Sequence, residues 1–589
     1  MQLDKRDLIT MALLAVVFFS VATWNLGMTQ TPVTTAQFSV GSSFYVDLGT
    51  ATTVKSVVLL LKDGSFNLAV SVGSPDNWQL VTYNLTYSDY YKWYEIGIQR
   101  DTQYVKFDFN QSASNAEIAE MAVIGEANQR IPIASINNLG SGNQNLLNLI
   151  DEQDKVQYPA TYMAQTYFDE IYFARTAEQY LHRQWPYEWT HPPLGKLIQA
   201  SGITVFGFSP FGWRIMGVVF ATLMIPVMYL LGKRLFGTWI GAFASAFLLT
   251  FDFMHFTMGR MGTADTYIVF FSLLSQLFFL IYFLNVVKNW WKTSVLPLFL
   301  AVVFFAFGFS TKWLVLYGAV GMLALLVGLR LKDVAKLKNG LADRFAAFFD
   351  HPFLLLFGFV AVAVGVYFVT YIPDIIIGRS FLGTNGVIDL QFAMYHYHST
   401  LVATHTFASS WWSWPFIVSP HGYVPLWLAV STLSTSVKST IVLLGSPAVW
   451  WIGFACIILV TERAVQGEEL ARSLWRRITK KQQSIESGRR GWDASATFIA
   501  VIFFFSWIPY VLISRITFIY HFYVSVPFLC LASAYFINKY WNTKKGKIIT
   551  ITFFVSVVVV FGLFYPIISG APTSTSWIDK LKWFPSWYF

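Results

Sequence analysis

The sequence predicts a polytopic α-helical membrane protein with about eleven transmembrane helices and a β-sandwich on its outer face. Three observations predict this class. Of 589 residues, 55% are hydrophobic and only 12% are charged, against roughly a quarter in soluble domains. Stretches free of Asp, Glu, Lys and Arg, close to the ~20 apolar residues that cross a bilayer, recur along the chain. One long segment after the first stretch is different. It carries short apolar runs between clusters of Gly, Asn, Asp and Ser, the pattern of strands and turns.

Eleven apolar stretches qualify as spans: 8–28, 215–232, 235–251, 266–287, 293–311, 313–329, 353–373, 439–460, 494–514, 516–538 and 548–578. Some are separated by one or two charges and require tight hairpins, as at Gly308–Lys312. Orientation follows from Lys and Arg. Basic clusters fall at Lys5-Arg6, Lys233-Arg234, Lys288/Lys292, 330–350, 462–493 and 539–547. With eleven spans all six lie on one side, which puts the N-terminus in the cytoplasm. This also accounts for the net charge of +9 without nucleic acid. Residues 399–437 lack these four charged residue types but are rich in Ser, Thr, Pro, His and Trp, and are expected to form an outer loop with surface-lying pieces. The context Thr23-Trp24-Asn25 is poor for signal cleavage, so the first run is expected to stay as an anchor. Cys456 and Cys530 both lie in apolar runs and leave the redox compartment open.

The chain therefore divides into a first span (1–29), an outer β domain (30–160), a membrane region with spans two to seven (161–373), an aromatic outer loop (374–438) and a four-span C-terminal region (439–589). In the β domain, Ser56–Leu61, Phe66–Val72, Trp93–Ile98 and Tyr104–Phe109 read as strands. Tyr45-Val46-Asp47-Leu48-Gly49, Val54–Leu61, Val70-Ser71-Val72, Trp78 and Glu120–Gly125 resemble a discoidin-type or jelly-roll-like module. That resemblance implies either a surface-ligand binder or a rigid spacer.

The residues that carry chemistry follow the β domain. Asp169-Glu170 lies among aromatics in the run Tyr167–Arg175, and Tyr187-Glu188-Trp189-Thr190-His191-Pro192-Pro193-Leu194-Gly195-Lys196 comes about twenty residues later. An acidic pair in an outer loop is most often solvated surface. Here the aromatics and the Pro-Pro turn with His and Lys favour a pocket at the membrane border. A carboxylate there can take the proton of an attacking hydroxyl, and cations can hold a leaving phosphate. The tight outer hairpins supply Arg260, Lys312 and Arg515, and Arg214 opens the second span on the same face. Charges at a membrane border are functional hypotheses by default. For each residue the competing reading is snorkelling or a structural ion pair, such as Arg260 with Asp265.

These residues resemble the dolichyl-phosphate-mannose–protein O-mannosyltransferases, in the GT-C superfamily of membrane glycosyltransferases. The similarity is carried by Phe168-Asp169-Glu170, His191–Lys196, Trp213-Arg214, Gly259-Arg260 with Asp265, and Thr311-Lys312-Trp313. It continues through Tyr395-His396-Tyr397-His398, His405, Ser410–Pro415, Gly445-Ser446-Pro447 with Trp450-Trp451, Arg515 with Tyr520–Tyr523, and Leu581-Lys582-Trp583 with Trp587. The resemblance implies a GT-C fold and transfer of mannose, or a related sugar, from a polyprenyl-phosphate donor to a hydroxyl, with inversion. It implies a catalytic pair, with Asp169 as the base and Glu170 helping to shape the site. Arg214, Arg260, Asp265, Lys312 and Arg515 are implied at the donor phosphate or in the site architecture, and His191, His396, His398 and His521 as substrate contacts. No cluster has metal-ligand spacing, so no metal is required.

The implied partners are a polyprenyl-phosphate-mannose lipid, an exported protein or peptide acceptor, and the lipids of a prokaryotic plasma membrane, with the active site outside. One departure stands out. The loop 374–438 is too short for the β-trefoil MIR domain of eukaryotic members, and the β domain near the N-terminus is not a usual part of the family. An acceptor that is a lipid or cell-wall glycan is therefore the alternative. A non-enzymatic glycan-binding protein or a transporter is disfavoured, because the charges sit at the border and no internal repeat is visible.

Overall fold

The computed structural model describes residues 3–112, 116–140, 143–288, 294–335, 340–349, 353–378, 386–417, 426–467, 492–585, 587 and 589. Lys292, Lys336, Lys338 and the basic residues from Arg472 to Arg490 lie outside them. Helix α1 (Lys5–Thr23) is followed by nine strands: β1 (Ala36–Phe38), β2 (Ser43–Asp63), β3 (Ser65–Ser74), β4 (Asn77–Ser88), β5 (Lys92–Ser112), β6 (Ala116–Gly125), β7 (Arg130–Ile131), β8 (Ser135–Asn138) and β9 (Asn143–Gln144). The helical region then runs α2 (Glu170–Leu181), α3 (Leu194–Phe206), α4 (Pro210–Phe236), α5 (Trp239–Thr250), α6 (Phe253–Gly259), α7 (Asp265–Lys288), α8 (Leu296–Phe309), α9 (Leu316–Ala335), α10 (Leu341–Phe348), α11 (Phe353–Val369), α12 (Ile372–Ile376) and α13 (Val387–Thr400). A hairpin, β10 (Trp427–Thr432) and β11 (Val437–Leu443), precedes α14 (Pro447–Gly467), α15 (Ala494–Trp507), α16 (Val526–Tyr540) and α17 (Lys544–Ser569). The chain closes with β12 (Pro572–Ser574) and α18 (Thr575–Leu581).

Eight helices among the described residues are long and apolar enough to cross a membrane, and α5 with α6 forms a ninth candidate bent by 58°. The expected spans 293–311 and 353–373 appear as the shorter helices α8 and α11. The bend has a local cause. Asp252 restarts the helix by accepting the His255 backbone N–H at 3.0 Å, and it also accepts the indole N–H of Trp450 at 2.8 Å. Two expected spans are corrected at their ends. Residues 437–443 are strand, not helix, because Ser439, Thr440, Ile441 and Val442 pair with β10. Residues after Ser569 leave the helix through the left-handed Gly570 and form β12 on the edge of β11. Cys456 and Cys530 are free thiols.

The β domain is one nine-stranded sheet in the order β4-β3-β5-β2-β6-β1-β9, with β7 on β6 and β8 on β2. The hydrogen bonds thus join all nine strands into one sheet, where two separate sheets were expected. The strand β2 shows why the apolar run Val57–Leu61 does not alternate with polar residues. Val57, Leu59 and Leu61 enter the core of the sheet domain. Val58 and Leu60 point the other way, into a second core with Ala174, Ala177, Ala200, Ile203 and Trp213 of the helical region. Both faces are buried, so both sets are apolar. Polar contacts rim this junction. Lys62 pairs with Glu178 at 2.7 Å, Arg175 with Asp63 at 2.7 Å, and Tyr90 hydrogen-bonds Glu178.

The ends of the bundle are distinct. Asp7 near the start of α1 binds Lys233 at 2.9 Å and Tyr229 at 2.6 Å near the end of α4, so the basic pairs Lys5-Arg6 and Lys233-Arg234 share one end. At the other end α1 runs into α6 and α4. A Cβ on Gly217 would lie 2.7 Å from the Gly259 carbonyl oxygen. Only glycine allows this approach of α4 to α6, as is usual where membrane helices pack closely.

Candidate active site

Glu170, the first residue of α2, is fully buried. Its carboxylate takes the Arg214 Nε–H at 2.7 Å and Nη2–H at 2.8 Å, the Trp213 indole at 3.2 Å and the Gly262 backbone N–H at 2.9 Å. A side chain at Gly262 would collide with Gln199 and Trp213, so the close approach requires glycine. Arg214 is also buried, and its remaining donors go to the carbonyls of Leu26, Tyr162 and Gln165. A buried bidentate pair with every group satisfied fixes geometry. It clamps the start of α2 to the start of α4 and to the end of the first span.

Arg260 is likewise occupied. Its guanidinium donates to the carbonyls of Ala22, Trp24, Asn25 and Ser569, tying the end of α1 to the end of α17. It does not pair with Asp265. Asp265, the first residue of α7, binds Lys312 at 2.9 Å instead, while its second oxygen is buried with no partner among the described residues.

Asp169 stands apart from these. It lies at the N-cap of α2, and its side chain makes no capping hydrogen bond. The preceding Phe168 has φ +56°, a left-handed conformation that costs a bulky residue of order 1 kcal/mol or more. The Phe168 ring is wedged edge-on against Trp427 (4.6 Å) and Tyr520 (5.3 Å), which holds the turn. Burial pushes the Asp169 carboxyl up to about 7, opposed by the charge of Lys312 and reinforced by Asp265 and Glu188. A half-buried carboxyl that titrates near neutrality, faces an ammonium and spends no bond on its own helix is suited to receive a proton.

Next to it is a cleft of about 460 Å³ lined by Lys312, His191, His398, Arg515, His521 and aromatic residues. His398 donates from Nε2 to the Thr190 carbonyl at 2.7 Å and accepts at Nδ1 from Arg515 at 2.9 Å. Burial, with help from neighbouring His191 and Arg515, lowers His398 to about 4, so the ring is neutral and its tautomer is set. This is the only hydrogen bond of Arg515 among the described residues; its other N–H groups remain for the cleft. His521 is stacked on Tyr520 (4.5 Å), with Nδ1 held at the Phe518 backbone. His396 does not join the cleft and is exposed. On α13 it sits two residues, about 200°, from His398.

Glu188 is a candidate that the sequence reading leaves out of its site residues. It is buried and binds Lys196 at 2.6 Å and His191 Nδ1 at 3.1 Å. Burial alone would raise its carboxyl, but the Lys196 ammonium outweighs this and holds it well below the usual range. Burial lowers His191. The signal was its spacing, three residues before His191 and eight before Lys196. Among the described residues no three His, Cys, Asp or Glu side chains gather as a metal site.

A membrane helix bundle with a carboxyl raised by burial, an ammonium acting on it and a cationic cleft at one end has the features of a membrane group-transfer enzyme. Comparison with known proteins specifies it. The profile "Dolichyl-phosphate-mannose-protein mannosyltransferase" matches residues 190–349, and that for the "C-terminal four TMM region of protein-O-mannosyltransferase" matches 384–587. The polyprenol-phosphate-mannose–protein mannosyltransferase of Mycolicibacterium smegmatis is 24% identical over 492 residues, 71% of this chain and 87% of the relative. That of Corynebacterium glutamicum is 25% identical over 452 residues, 67% of this chain and 81% of the relative. In fold, the chain resembles the Saccharomyces cerevisiae protein O-mannosyltransferase Pmt1-Pmt2 complex bound to the sugar donor, with a TM-score of 0.53 at 13% identity, over 72% of this chain and 89% of that one. The chain belongs to the protein O-mannosyltransferase family, and it is a glycosyltransferase.

Proposed function

We propose that this enzyme moves mannose from a polyprenyl-phosphate donor to Ser or Thr hydroxyls of exported proteins, on the outer face of a prokaryotic plasma membrane. The N-terminus is cytoplasmic and the chain crosses eleven times, α8, α11 and the bent α5–α6 pair included. The observation that carries the reading is the junction of two unlike cavities, the first of them lined by Lys312, whose charge acts on Asp169. The cationic cleft meets, at Leu316, an apolar groove of about 450 Å³ between α8, α9 and α11. A lipid phosphate matches this division, with its tail in the groove and its head group at Lys312 and Arg515. Asp169 takes the acceptor proton as the hydroxyl oxygen bonds to the anomeric carbon. The bond from that carbon to the phosphate oxygen breaks, and the electron pair leaves on the lipid phosphate. In-line attack inverts the anomeric centre. Lys312 and Arg515 supply the positive charge for the leaving group. Glu170, Arg214 and Arg260 are positioning residues in this scheme.

The test is an assay of the purified full-length protein with polyprenyl-phosphate-mannose and, in parallel, a Ser/Thr-rich peptide and a glycolipid acceptor. Transfer to peptide is expected. Transfer to the glycolipid alone overturns the protein acceptor. Arg515→Ala is expected to raise the donor KM by tenfold or more, the scale of one charge-assisted hydrogen bond, while the melting temperature changes little, since Arg515 has one hydrogen-bond partner among the described residues. An unchanged donor KM would remove Arg515 from the phosphate site.

A further inference from the structure

Phe168 itself lines a further groove, of about 240 Å³. One wall is residues 165–168, the segment that leads into Asp169. The other wall is five consecutive residues of β10, 427–431. Successive side chains on a strand point to opposite faces, so a sheet face lines a groove with alternate residues. Five in a row mark the backbone edge. The floor does show alternation, with Ser439 and Ile441 of β11.

β10 is an edge strand in the order β10-β11-β12. Its outward-facing N–H and C=O groups bond no described residue. Edge strands are normally protected by charge, proline or a bulge. Trp427-Leu428-Ala429-Val430-Ser431-Thr432 has no charge and no proline, and its register with β11 runs unbroken from Trp427↔Leu443 to Thr432↔Lys438. The five edge residues offer about 17 Å of ladder. The facing wall is held rigidly by the nine-stranded sheet: the Thr166 N–H binds the Tyr91 carbonyl at 3.0 Å, and Gln165 Oε1 accepts the Trp93 N–H at 2.9 Å.

We infer that the acceptor polypeptide binds in extended form as an added strand on the free edge of β10, and that this groove delivers its hydroxyl past Phe168 to Asp169. The inference rests on the protein-acceptor reading above and adds how the acceptor is recognised. Main-chain hydrogen bonds supply the affinity, as in other strand-addition complexes. Recognition by backbone asks little of acceptor sequence. It does exclude helical segments and proline at positions where an N–H must reach β10. The continuity of the groove with the Asp169 turn selects the acceptor as occupant, rather than a second copy of the chain.

The test uses a synthetic peptide with one Thr, N-methylated at one backbone position at a time, with polyprenyl-phosphate-mannose and the full-length enzyme. The expected result is a period of two: KM rises tenfold or more at alternate positions and changes little at those between. A profile without alternation, whether every position or none is sensitive, overturns strand addition while transfer to the unmethylated peptide keeps the protein-acceptor reading intact. Absence of transfer to any peptide overturns that reading, and this inference with it.

Discussion

Asp169→Asn is expected to lower kcat by two to four orders of magnitude, the usual worth of a positioned general base, with donor affinity and melting temperature nearly unchanged. The side chain keeps its size, and the structure shows no capping bond to lose. The pH profile separates this role from a structural one. With its carboxyl near 7, Asp169 is protonated and inactive as a base below that pH. Wild-type kcat/KM is therefore expected to rise through about pH 7 and level off above it. Removing the Lys312 charge, which holds the carboxyl down, moves this limb to higher pH in Lys312→Met. The Asn variant has no such limb. Full activity in Asp169→Asn, or a wild-type profile flat from pH 5 to 9, would exclude Asp169 as the base.

Glu170→Ala is expected to act quite differently, although it is the adjacent residue. It strands the Arg214 guanidinium, which is fully buried. Breaking a buried pair from one side costs about 3–5 kcal/mol, a large fraction of the stability of most proteins. The measurement is thermal unfolding of the detergent-solubilised protein, together with its yield. Arg214→Met should be comparably damaging. The double variant Glu170→Leu with Arg214→Met is expected to lose less than the two single losses combined, because no lone charge remains. Strict additivity would show that the two residues act independently. The expected contrast between neighbours, one lost in turnover and one in folding, follows from their bonds. Glu170 has four donors outside its own turn, whereas Asp169 has none among the described residues.

The pair Asp169-Glu170 stood out in the sequence as a candidate because it lies among aromatics and precedes a His-Pro-Pro run, and the resemblance set Asp169 apart as the base. The bonds by which Glu170 is held to Trp213, Arg214 and Gly262 were not legible there. Nor was the fate of Arg214 and Arg260, whose partners are mostly backbone carbonyls as much as 188 and 309 residues away. Carbonyls carry no residue-type signal, so a guanidinium that binds them looks the same in sequence as one that awaits a phosphate. The helical region was legible through hydropathy, except where β-branched residues formed β11 at the start of an apolar run. The sheet domain was legible as strands but not as a single sheet. Its two-sided burial depends on which helices it meets, and period-two patterning cannot report that.

The sheet with two occupied faces bears on how the chain can be re-engineered. A module fixed by its linkers alone can be excised or exchanged for another. This one resembles a keystone: its removal would leave Trp213 and the alanines of α2 facing water and would free Gln165 and Thr166, the residues just before the reactive turn. A protein lacking only the sheet domain would keep every candidate side chain and lose the contacts that hold Gln165 and Thr166, just before Asp169. Swapping this segment between relatives therefore exchanges part of the reaction centre, and chimeras should place their joints elsewhere.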